Sequence, residues 1–290
     1  MNTIGRKLLS TTFLFISITM VSGVKLMDDA NATAYATSEQ HITNFSMTAA
    51  NADIAIIGAF DTASNSSAAR QTIIPGCANN DPADAVQCIL GAPNPGENVF
   101  SPQGQVGDYI RGDALISSTD LLTGAGFAEN IAEGFTTLSL LSSSDGENAL
   151  NAEFSLSADS TVTFDLDAVI HMFTEMSAGD MGFAESNVEF SVHIDEHNAG
   201  QGPGHTHLFE WTPSELNQAI SSLTPGEIDT YDFMGSLSVT TDILLANTTY
   251  DMNIDMVESV NMVSDIPEPG SWALLGVGLL GMMFTRRKIA

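Results

Sequence analysis

The chain has 290 residues, 43% of them hydrophobic and 15% charged, and its 36 acids against 8 bases give a formal net charge of −28. A surface that negative repels phosphate backbones, which excludes nucleic acid as a partner. The apolar content, arranged in ordered patterns, excludes a disordered chain.

The bases are distributed very unevenly. Arg6, Lys7 and Lys25 lie near the start, Arg286, Arg287 and Lys288 at the end, and only Arg70 and Arg111 in between. Setting aside those six terminal bases with Asp28 and Asp29 leaves 34 acids against 2 bases, and no lysine. Such a polyanion stays soluble at high ionic strength and can gather Ca²⁺ through its carboxylates.

In chain order, the basic Arg6-Lys7 start, the apolar run from Leu8 to about Val24 and the small-residue stretch around Ala30-Asn31-Ala32 read as a secretion signal. Residues 1–32 are therefore expected to form a signal helix, handled by the Sec translocon and cut by signal peptidase after Ala32. The exported body then meets an oxidising compartment. Cys77 and Cys88 lie in a Pro-, Asn-, Ser- and Gly-rich stretch over residues 64–102, expected to be a loop closed by a Cys77–Cys88 disulfide.

Period-2 alternation dominates from there on. Val162, Phe164, Leu166, Ala168 and Ile170 alternate with polar residues, as do Val188, Phe190, Val192 and Ile194. Phe233, Leu237, Val239 and Ile243 form a third inward row, and Met252, Ile254 and Met256 a fourth. Ser157-Ala158-Asp159-Ser160 and Ala246-Asn247-Thr248 read as tight turns, so neighbouring strands are expected to pair antiparallel. One short helix is predicted from Thr212, with Pro213 at its first position, Glu215 closing a capping box and Leu216, Ala219 and Ile220 inward. The expected fold is all-β, an antiparallel, jelly-roll-like β-sandwich over residues 37–262, with two smaller sandwiches splitting near the 64–102 loop as the alternative.

One stretch of the body carries metal-ligating side chains. His193-Ile194-Asp195-Glu196-His197 spells a metalloprotease pattern that requires a helix, yet its first histidine ends an alternating strand, which argues against that chemistry. A non-catalytic site for a divalent transition metal, from His193, His205 and His207, fits an extended hairpin better. No phosphate-cradling loop and no nucleophile with an orienting base is present. The body reads as non-enzymatic, with no required cofactor. Arg111-Gly112-Asp113 spells an adhesion tripeptide too short to carry weight.

The chain ends on a composite signal. Pro267-Glu268-Pro269 lies in a linker over residues 263–271, held extended because the residue before a proline avoids the helical region. An apolar run at residues 272–284 follows as a short membrane helix, and residues 285–290, with Arg286, Arg287 and Lys288, are expected to stay cytoplasmic. This order of parts resembles the PEP-CTERM sorting tail of Gram-negative bacteria, over about the last 25 residues. The resemblance implies recognition of Pro267, Glu268 and Pro269 by exosortase, a membrane transpeptidase, and association with exopolysaccharide and biofilm matrix. The expectation is a structural or adhesive protein, anchored transiently and then placed at the cell surface or in the extracellular matrix. A carbohydrate-binding module is the alternative, and a metal-binding or hydrolytic exoprotein the third reading.

Overall fold

A computed structural model describes residues 33–70, 78–82, 86–89, 100, 102, 104, 108–137, 141–197 and 206–265. Among the described residues the strands are, in chain order, β1 (Ala34–Ala49), β2 (Ile54–Arg70), β3 (Ala78–Pro82), β4 (Val86–Ile89), β5 (Tyr109–Ser118), β6 (Gly126–Thr136), β7 (Ser142–Leu156), β8 (Val162–Met176), β9 (Phe183–Glu196), β10 (Thr206–Trp211), β11 (Gln218–Ser222), β12 (Ile228–Thr240) and β13 (Thr249–Val263). They make two antiparallel sheets, one ordered β12-β8-β1-β6-β5-β4 and the other β10-β9-β13-β7-β2-β3, with β11 also on β9. β1, and β2, which runs into the 64–102 stretch, lie in different sheets, each paired with strands that follow that stretch.

The apolar core lies where the alternating rows meet. Val162, Phe164, Leu166, Ala168 and Ile170 of β8 face Val188, Phe190, Val192 and Ile194 of β9 and Met252, Ile254 and Met256 of β13, all buried. At roughly 1.5–3 kcal/mol for each large side chain removed from water, these rows supply most of the drive to stack the sheets. The third row is only half-buried at Phe233, Leu237 and Val239, because β12 is an edge strand, and Ile243 lies beyond its end, exposed. Leu244 takes the buried place instead, where its backbone bridges Ser160.

Three expectations are corrected. The turns at 157–160 and 246–248 do not close hairpins: β7 and β8, and likewise β12 and β13, belong to different sheets, so each turn carries the chain across the sandwich. Asn247 makes its turn with a φ of 59°, a conformation Asn tolerates better than most residues. The helix predicted from Thr212 is a single 3-10 turn, Ser214–Leu216, with no side-chain cap, and Gln218–Ser222 is strand β11. Asn217 diverts the chain. Its amide donates to the carbonyls of Pro213 and Phe190 and its carbonyl accepts from Phe190 N–H, which ends the turn and delivers Gln218 to the edge of β9. Finally, Ser64 to Arg70 are not loop but the second half of β2, paired with β7.

That last correction has a packing cause. Beside the apolar core the sheets approach along a seam of small and polar residues, with Ser66, Ala68, Ala132, Ser144 and Ser186 buried. A Cβ on Gly146 would lie 2.6 Å from the Asp113 carbonyl, and one on Gly112 would strike the Asp145 carbonyl, so neither position accepts a side chain. Ser144 Oγ donates to the Arg111 carbonyl, and Asn148 donates across the seam to the carbonyls of Leu115 and Glu129. Arg111 and Asp113 are both buried here, so the adhesion tripeptide is not displayed.

The signal helix expected over residues 1–32 with its cut at Ala32, the Cys77–Cys88 bond through Cys77, and the tail from residue 266 lie outside the described residues. Among the described residues no helix is long and apolar enough to cross a membrane.

Candidate functional site

β10 pairs antiparallel with β9, placing His207 opposite Asp195 and Glu210 opposite His193. The register shifts between His207 and Phe209, so Leu208 is an inserted residue. Strand side chains alternate between faces, and residues three apart, such as His207 and Glu210, would ordinarily point opposite ways. The bulge cancels that alternation. His207 and Glu210 share the solvent face with His193 and Asp195, while Phe209 and Trp211 turn toward the core. Phe209 stacks on Phe164 with ring centroids 6.1 Å apart, and Trp211 meets Phe190 edge-on at 5.9 Å, which fixes the facing of β10.

On the solvent face His207 Nδ1 lies 3.2 Å from Asp195 Oδ1 and its Nε2 lies 3.6 Å from Glu210 Oε2. A carboxylate only accepts, so Nδ1 donates to Asp195, and Nε2 is the ring nitrogen turned toward Glu210. The His193 ring stands 5.8 Å from that of His207. One ligand atom each from His193, His207 and Glu210 lies within 4.8 Å of the others.

A second group forms along the same face from Glu153 on β7, His197 just past β9 and Asp251 on β13. His197 Nδ1 lies 2.9 and 3.0 Å from the two Asp251 oxygens and 3.9 Å from Glu153. The hydrogen bond to Asp251 and its charge, with Glu153 adding, hold the His197 pKa above its ordinary value despite a desolvation effect that lowers it. His193 and His197 therefore serve separate groups. Four residues of extended chain separate them by about 13 Å, and a single ion cannot take both as it would on a helix.

Of the predicted metal ligands, His193 and His207 are brought together and His205 lies outside the described residues. Glu210 escaped the sequence reading because alternation assigns it to the wrong face, and only the bulge at Leu208 corrects it. Glu153 and Asp251 join His197 through the pairing of β13 with β7 and β9, which local spacing does not encode.

The chain's exit toward its C-terminus is also defined. Asp180 Oδ1 accepts from the backbone N–H of Gly182 and of Asp265, both at 2.8 Å, and Met181 N–H donates to the Asp265 carbonyl. β13 thus leaves the sheet at a clamped point immediately before the tail. Residues 265–288 match the family model of the PEP-CTERM protein-sorting motif. The chain carries that motif, which marks an exported protein sorted through exosortase with a membrane-anchored stage. A search of curated proteins returns no match.

Proposed function

We propose that this is a non-enzymatic structural or adhesive protein of the cell surface and extracellular matrix, a jelly-roll-like sandwich delivered by its two terminal signals. The observation that carries the reading is the sorting motif at residues 265–288, which begins two residues after β13 ends at Val263. So short a connection, with Asp265 held by Asp180, gives the body a fixed end from which the tail departs. The His-carboxylate face lies near the start of β13. Asn253 pairs with His193, ten residues before Val263, or about 33 Å along the strand. A body anchored through its tail would present that face away from the membrane.

Two concavities of the described residues bear on the reading. A cavity of about 40 Å³, lined by Ile42, Phe45, Leu121, Phe190 and Met256 among others, is apolar and too small for a substrate. A shallow groove of about 300 Å³ runs past Glu185, Asn187, Ile220 and Asn261 and is lined by no aromatic ring on which a sugar would stack. Trp211 packs edge-on against Phe190 of the core.

Replacing Pro267, Glu268 and Pro269 together with alanine tests the sorting step in the native cell. The variant is expected to accumulate in the inner membrane and to be missing from the exopolysaccharide fraction that holds the wild type. A variant that reaches that fraction in wild-type amounts would overturn the reading. Binding of the mature protein to a purified glycan would move the assignment to a carbohydrate-binding module.

A further inference from the structure

We propose that His193, His207 and Glu210 bind one divalent transition ion of the Zn²⁺ class, with Asp195 as the positioning residue of His207. This inference does not depend on the sorting reading. Its basis is the composition and order of the groups. Two imidazoles and one carboxylate are a donor set suited to Zn²⁺, Ni²⁺ or Cu²⁺, whereas Ca²⁺ prefers an all-oxygen shell.

The Asp195 contact adds an independent observation. A metal-binding histidine typically gives its other ring N–H to a carboxylate, which fixes the tautomer and turns the free lone pair to the ion. Asp195 does this to His207, at 3.2 Å, and leaves Nε2 facing Glu210. The backbone makes the same assignment. Without the inserted Leu208, either His207 or Glu210 would turn toward the core, so the bulge is what places three donors on one face.

Closing the site requires little movement. Donor atoms about 2.1 Å from a tetrahedral ion lie roughly 3.4 Å from one another, and the three here are already within 4.8 Å. His207 and Glu210 are half-exposed, which leaves room for water in the fourth position. The chain's net charge of −28 raises the local cation concentration. The neighbouring group is a poorer site, because His197 Nδ1 is already held by both oxygens of Asp251.

The test is calorimetric titration of the full-length chain in detergent with Zn²⁺ at neutral pH, in the presence of excess Ca²⁺ to saturate non-specific carboxylates. One ion per chain is expected. Binding should be lost in His193→Ala and His207→Ala, weakened about ten- to a hundredfold in Asp195→Asn, and kept in His197→Ala. Co²⁺ in place of Zn²⁺ should give the visible absorption of a four- or five-coordinate site in the wild type, with none in His207→Ala. Deleting Leu208 should abolish the site while far-ultraviolet circular dichroism still reports a β-sandwich; where the deletion unfolds the chain, the exposed point variants decide. Absence of saturable heat with Zn²⁺, or binding unchanged in His193→Ala or His207→Ala, would overturn the proposal.

Discussion

Glu258, on the inner face of β13, is fully buried, and neither carboxylate oxygen has a hydrogen-bond partner among the described residues. Burial, with the charge of Glu39 adding, raises its pKa well above the ordinary 4.5, so the folded protein keeps this proton to higher pH than the unfolded chain does. Below about pH 4.5 the folded and unfolded chains both carry the proton, and the group does not oppose folding. As pH rises past that point only the unfolded chain releases it, and stability falls by up to ~1.4 kcal/mol per pH unit until the folded group ionises. Glu258→Gln is expected to leave stability at pH 4 nearly unchanged and to raise it at pH 8, as urea unfolding at the two values will show. Glu133 is the opposite case. It is equally buried but satisfied, accepting from Tyr35 and Tyr109 hydroxyls at 2.7 Å, from Arg111 Nε at 2.8 Å and from Gly104 N–H at 2.9 Å. Arg111→Met removes the Arg111 charge from beside that carboxylate and is expected to cost about 3–5 kcal/mol in the same unfolding assay.

Elements differ in how plainly the sequence announces them. β8, β9 and β13 were legible because a row such as Val162 to Ile170 buries one face against a thick apolar core, where period-2 hydrophobicity and burial coincide. The second half of β2 was not, since a thin seam selects Ser, Ala and Gly, the residues that otherwise mark loops. Gly146→Ala, which brings a methyl against the Asp113 carbonyl, is expected to destabilise the protein by about 1–3 kcal/mol in thermal or urea unfolding, although the substitution is mild by composition. β11 was misread for another reason: the Pro213 and Glu215 pattern is a sound local helix signal, but Asn217 satisfies the β9 backbone at Phe190 and tertiary pairing prevails. Asn217→Ala strips those contacts and is expected to cost about 1–3 kcal/mol, with faster amide exchange along residues 218–222. The placement of the proposed ligand set is half legible for the same kind of reason. His193 lies on a regular strand whose alternation gives its face, whereas Glu210 is placed by one inserted residue.

At the scale of the whole molecule, charge and topology work together. The C-terminal bases Arg286, Arg287 and Lys288 belong to the sorting motif, and the described body before it is an acidic double sheet whose last strand ends two residues short of that motif. Carboxylates spread over both exteriors keep such a body soluble in salty surroundings, and screening lets copies approach more closely as ionic strength rises. Asp180 holds Asp265, the last described residue, to the body. The central claim, export followed by sorting at the C-terminal motif, is met most directly by intact-mass spectrometry of the protein taken from its native cell envelope. The account predicts a chain that has lost about its first 32 residues and everything beyond the neighbourhood of Pro267-Glu268-Pro269; a mature chain still ending at Ala290 would contradict it.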